Sequence, residues 1–368
     1  MDVGKNVKEN AGEMENVAKI TRNPWVDILR FIFALCIVFF HNETNLHHVF
    51  CHGDISVLFF FALSGFYALR SIQRHNTAGI TYMEGCASFF KRKLLAFHPE
   101  VILSVIARLI LVFFLLKLSI GETVSTAIHY FISDVLLLRM TGLETNLVTY
   151  AWYLSTMMLA LLAVYPIYRK YGSNIYLLCA GLVLLGILRL ETGTLTPWPY
   201  HEIMLVYAGN FEGLGMILLG GYAVSLSPRF RAMFQNRFAS ATFLWSALLL
   251  FCLLAMNNPN PTSRDSGGPE VLCGLAMFLL VAVSDAMPLP DCRKKIGMLV
   301  SRICVYLGKL SLPLYLIHIC THTYFEQVYG KSYSAGLGVL YVMTSILAAM
   351  LLVYPSDWLR SKISRFYR

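Results

Sequence analysis

The chain alternates long apolar runs with short polar joints, and the runs are of bilayer length. Ten of them stand out, at 24–41, 55–70, 97–118, 150–167, 174–190, 204–225, 239–256, 270–287, 303–325 and 335–354. A run of about 17–22 residues wound as a helix crosses the hydrocarbon of a bilayer, whereas barrel strands would be shorter and would alternate. No such alternation is visible. Because only a helix or a closed barrel satisfies its own backbone in lipid, the pattern predicts an all-α, polytopic transmembrane bundle. Two joints, 71–96 and 119–149, are longer, and a third, 257–269, is rich in turn residues. Residues 71–96 end in FFKRKLLAFHP, 119–149 contain TAIHYFISDVLLLRM, and 257–269 read NNPNPTSRDSGGP. The middle one is too short and too polar for a span and is expected to be re-entrant or interfacial. In the sixth run, Gly209, Gly213, Gly215, Gly220 and Gly221 point to close helix packing. The expected organisation is a polar tail over 1–23, a membrane domain over 24–355 and a basic tail over 356–368.

Composition agrees with this division. Of 368 residues 57% are hydrophobic and only 14% charged, and the mean hydropathy is +0.60. Soluble chains carry about 25% charged residues. The net charge of +9 is distributed by side. Of the 30 Lys and Arg residues, 22 fall on the amino-terminal side of the ten runs, five lie inside them, and three (Arg139, Arg264 and Lys331) lie opposite. That asymmetry predicts both termini in the cytoplasm and a multi-pass protein of the inner (plasma) membrane, in contact with lipid rather than nucleic acid. Nine scattered cysteines give no disulfide framework.

The chemistry begins in the first run. Arg30 and His41 are eleven positions apart, so on a helix they share a face and stand about 16 Å apart along the axis. An ionisable residue inside a membrane helix is a functional candidate. A snorkelling Arg and an interfacial His would give the same pattern. Glu43 follows His41 by two residues, and a carboxylate beside an imidazole raises its basicity, as a general base requires. Arg70, Arg74, Lys91, Arg92 and Lys93 gather on the predicted cytoplasmic side. The triplet 91–93 is expected to abut the amino terminus of the third span, where helix N–H groups and cations would bind phosphate. In the first external loop His47, His48, Cys51, His52 and Asp54 cluster, with His48 and His52 at zinc-ligand spacing if helical. No metal site is predicted from them. Glu212 and His318 are the most interior of the remaining ionisable residues, and Tyr315 lies one turn from His318.

Several of these pieces together resemble the acyltransferase 3 family. Arg30 and His41 match its Arg/Lys, ten residues, His pattern. FFFALSGFYALR at 59–70 is similar to its second-span FFxLSGF signature. FFKRKLLAFHP, AWYLSTMM at 151–158 and LSLPLYLIH at 310–318 follow in the family's order. Two positions depart from it: Ala96 stands where a further Arg is usual, and Met157 where many members carry Glu. The resemblance implies an integral membrane O-acyltransferase with acyl-CoA, expected to be acetyl-CoA, as cytoplasmic co-substrate and no bound cofactor. It implies a glycan or lipid-linked sugar as acceptor. Arg70, Lys91, Arg92 and Lys93 would hold the donor's phosphates, and Arg30 would guide the pantetheine arm. His41 would act as base, or as nucleophile in a relay, with Glu43 orienting it. Ser64, Trp152, Ser155, Glu212, Tyr315 and His318 are expected in the cavity wall. Two other readings use the same residues: a flippase for a lipid-linked glycan, without acyl transfer, and an external metalloenzyme built on His47, His48 and His52.

Overall fold

The computed structural model describes residues 22–42, 49–116, 134–142, 151–235, 237–257, 267–290, 294–330 and 334–366, with isolated positions between 121 and 128. Among these residues ten helices of 17 residues or more form one all-α bundle. They are α1 (Pro24–Phe40), α2 (Ser56–Thr77), α3 (Tyr82–Leu116), α4 (Trp152–Tyr171), α5 (Ile175–Thr192), α6 (Ala208–Phe234), α7 (Phe238–Met256), α8 (Gly267–Ala286), α9 (Lys295–Tyr329) and α10 (Ala335–Phe366). A two-stranded antiparallel hairpin, β1 (Glu202–Ile203) and β2 (Val206–Tyr207), is the only sheet among the described residues.

Helix starts follow local chemistry. The Asn23 side chain accepts from Trp25 N at 2.9 Å and Pro24 occupies the first turn of α1, where its missing N–H is no loss. Asn174 caps α5 in the same way, through Tyr176 N at 2.9 Å. Thr81 and Glu84 form a capping box before α3, with Thr81 Oγ1 donating to Glu84 at 2.7 Å and accepting from its N–H at 3.4 Å. That box starts α3 at Tyr82, fifteen residues before the predicted span at 97. The triplet 91–93 therefore lies inside a helix whose N–H groups are already bonded, and the helix-terminal phosphate site expected there is not formed.

Other runs are also exceeded. Helix α6 extends from Ala208 to Phe234, with 204–205 in the hairpin turn and 206–207 in β2, and α9 starts at Lys295. Helix α10 continues to Phe366, so the boundary expected at 356 falls inside it. A helix need not stop where hydrocarbon stops, because its backbone is satisfied in water as well. The re-entrant reading of 119–149 lies mostly outside the described residues.

Helix α6 is central, packing against α2, α4, α5 and α8, while α9 runs along α1 and α10. Glycine permits the closest crossings. A Cβ on Gly65 would overlap the Ile217 carbonyl, and one on Gly220 would overlap that of Ala62, so α2 and α6 meet backbone to backbone. Among the described residues seven helices are long and apolar enough to cross a bilayer. Of the other three, α1 has only 17 residues, while α4 and α6 carry interior polar positions, among them Ser155, Thr156 and Glu212, where polarity is tolerated. On α7 many apolar side chains are exposed, among them Phe243, Leu250 and Leu254. The protein is a polytopic, multi-pass membrane bundle.

Candidate active site

Near the start of α1 a buried carboxylate holds two guanidiniums. Asp27, 3% exposed, receives Arg22 at 2.6 Å and Arg30 at 3.3 Å. Helix α9 comes close enough to cover Asp27 only because residue 308 is glycine; a Cβ there would stand 2.5 Å from the Asp27 side chain. At the other end of α1, His41 closes the helix, its N–H bonded to Ile37 O at 3.2 Å. Its ring packs on two histidines of α9: His318 at 5.2 Å between centroids, tilted by 31°, and His322 at 6.3 Å, nearly edge-on. His318 Nδ1 bonds the Leu314 carbonyl at 3.2 Å. A carbonyl only accepts, so that nitrogen carries the proton and Nε2 is the basic one.

His41 opens onto a chamber of about 140 Å³ walled by aromatic rings and two acids. Trp152, Trp198, Tyr200 and Tyr315 supply the rings; Asp54 and Glu212 supply the acids. Glu212 is 1% exposed and its Oε1 has no hydrogen-bond partner among the described residues. A buried carboxylate left so costs several kcal/mol unless it is neutral or meets a ligand group. The wall from Thr196 to Tyr200 belongs to a strap between α5 and β1. Glu270, at the start of α8, ties that strap down. Its Oε1 accepts from Leu195 N at 2.8 Å, Thr196 N at 3.0 Å and the Thr194 hydroxyl at 2.6 Å. Burial pushes the Tyr200 phenol up to about 12, with Arg139, its hydrogen-bond partner, opposing the shift. Arg139 is itself paired with Asp134.

Two further chambers lead from His41 to Arg30. The next, about 210 Å³, shares Val57 and Tyr315 with the first and is lined by Ser64, Tyr153, Met157, Lys93 and Arg30. The third, about 480 Å³, shares Arg30, Tyr67, Ala96 and Leu312 with the second, and reaches Arg22, Lys309 and Arg360. The two ends of α1 are thus joined by consecutive cavities along one face.

The residues singled out in the sequence divide accordingly. Arg30, His41, Ser64, Trp152, Glu212, Tyr315 and Lys93 line the chambers, and His318 backs the His41 ring. Ser64 Oγ lies 3.3 Å from Tyr153 Oη and donates to Met157 Sδ at 3.2 Å. Ser155 is elsewhere: its hydroxyl donates to Leu137 O at 2.6 Å and accepts from Met140 N at 3.0 Å, pinning the 137–140 segment. Arg70 forms a two-pronged ion pair with Asp285, at 2.5 and 2.6 Å, and stacks over Phe66. That occupies the guanidinium face a phosphate would use. Lys91 and Arg92 are exposed, with Arg92 turned to His75 and to Ser71 at 3.5 Å. Glu43, His47 and His48 lie outside the described residues. Sequence reasoning gave no place in the cavity to Asp27, Asp54, Tyr153, Trp198 or Tyr200. Asp27, three residues before Arg30, could have been paired with it from spacing alone; the strap carries no periodic signal.

A family model described as an acyltransferase domain matches residues 23–356, nearly the whole chain. The chain belongs to the acyltransferase 3 family and is a membrane acyltransferase. No curated protein and no solved structure matches it.

Proposed function

We propose that this acyltransferase takes an acyl group, acetyl for preference, from acyl-CoA in the cytoplasm and transfers it to a hydroxyl of an envelope glycan or lipid-linked sugar. The protein would sit in the inner (plasma) membrane with the Arg30 end inward. In this reading the pantetheine arm lies along α1, past Arg30 and Lys93, and its thioester reaches His41. The imidazole takes the acceptor's hydroxyl proton while the oxygen attacks the thioester carbonyl. The C–S bond breaks, and the CoA thiolate leaves and is reprotonated from the imidazolium. The single observation supporting this path is the row of chambers sharing walls from Arg30 to His41. Its length, about 16 Å by helix rise, suits an extended arm.

The test is transfer or hydrolysis of labelled acetyl-CoA by the purified protein in membranes. His41→Ala is expected to lower it by about 10²–10⁴-fold, the usual worth of a general base, and Arg30→Ala to lower it as well. Undiminished turnover in the His41 variant would remove this mechanism. Lipid-linked glycan movement that survives His41→Ala, with no acetyl-CoA consumption by the unaltered protein, would favour the flippase reading.

A further inference from the structure

A fourth cavity continues the row beyond Arg30, and it is the largest of the four, about 850 Å³. It shares Arg22 and Asn23 with the third chamber and lies between the end of α6, at Arg231 and Phe234, and the end of α8, at Asp285, with Met287 just beyond it. From there to His41 the volumes fall in order, from about 850 to 480, 210 and 140 Å³. The taper fits a ligand with one bulky head and one thin tail; small-molecule sites run from about 300 to 1,000 Å³, and only the two widest chambers fall in that range.

The charges at this cavity do not balance. Asp27 is shared by Arg22 and Arg30, and Asp285 by Arg70 and Arg231, the latter at 3.3 Å. Four guanidiniums on two carboxylates leave two positive charges. In the third chamber Arg360 and Lys309 face Glu100 and Asp357, two against two. The surplus therefore lies with the carboxylates that arginines share: the largest cavity is lined by Arg22 and Arg231 against Asp285, one cation in excess, and Arg22 and Arg30 line the third chamber with Asp27. Arg231 is well exposed and Arg22 partly so, each holding its carboxylate by one nitrogen, which leaves donors directed outward.

We infer that this cavity holds the phosphorylated nucleotide head of the donor, with Arg231 and Arg22 on its phosphates, in place of the Lys91–Arg92–Lys93 run. The inference rests on the acyl-CoA reading above and assigns that donor's head a site of its own. Arg70 keeps Asp285 neutralised, so Arg231 can swing to a phosphate without stranding a buried charge.

Binding of CoA and of adenosine 3′,5′-bisphosphate, the head alone, to the full-length protein in detergent tests it by calorimetry. The unaltered protein should bind both. Arg231→Gln and Arg22→Gln should each weaken both ligands by about tenfold, the worth of one charge-assisted contact. Arg302→Gln, which removes an exposed charge elsewhere, should leave both unchanged, and Arg231→Lys should restore part of the loss. CoA bound equally well by the Arg231→Gln and Arg22→Gln proteins would overturn the assignment while sparing the donor reading. Failure of the unaltered protein to bind CoA would overturn both.

Discussion

The two ends of the cavity row are built in opposite ways. At the Arg30 end, wide chambers are framed by guanidiniums and carboxylates that share one another, with cations in excess. At the His41 end the chamber is narrow and aromatic, and no Lys or Arg lines it among the described residues. One of its acids is not neutralised in the same manner: Glu212 Oε1 meets no partner among the described residues. Coulombic attraction holds an anion loosely and reversibly in a solvated lattice. Proton transfer needs the reverse, a tight, water-poor space in which an imidazole and a carboxylate are poised and a neutral hydroxyl can approach. On the proposed reading, donor affinity and chemistry are separable in this bundle, each assigned to one end of α1.

The severest way to break the Arg30 end is Asp285→Asn, which leaves Arg70 without its two-pronged partner. Breaking a largely buried pair from one side costs about 3–5 kcal/mol, so the unfolding midpoint in detergent should drop markedly. An unchanged midpoint would mean the pair is as dispensable as a surface bridge. Next comes the wall between the two ends. Gly65→Ala forces α2 off the Ile217 carbonyl, and overpacking of this kind costs about 1–3 kcal/mol. Thermal unfolding should show it, and Gly142→Ala, in open space but at positive φ, offers a comparison free of packing.

At the His41 end Glu270→Gln weakens the charge-assisted bonds to the strap, each worth about 1.5–3 kcal/mol at most. Acceptor KM should rise severalfold while CoA affinity stays constant, and a shift in both would deny the separation of the ends. The smallest effect on stability is expected from Glu212→Gln. Removing the charge from a buried, unpartnered carboxylate relieves desolvation, so the midpoint should hold or rise slightly. Transfer should nonetheless fall, and a variant with full turnover would show that this carboxylate takes no part.

Legibility differed between the same two ends. Arg30 and His41 could be placed on one face by counting, and Gly220 could be read as a contact because small residues in apolar runs have few other uses. The Thr81–Glu84 capping box was also present in the sequence, and it outranks the apolar run in deciding where α3 begins. The roles of Arg70 and Ser155 could not be read. Their partners, Asp285 and the backbone of Leu137 and Met140, are distant in sequence or lie in an irregular segment.

The sequence by itself determined the all-α membrane bundle and the Arg30–His41 face, because hydrophobic length and helical periodicity are local properties that survive any packing. Tertiary structure alone decided which cations are engaged and which remain available, since that depends on carboxylates delivered from other helices. It also decided that Glu270 would strap the 194–196 segment across the His41 chamber, and that three cavities would line up along α1 with a fourth beyond its start. Spaces between helices belong to no single stretch of chain.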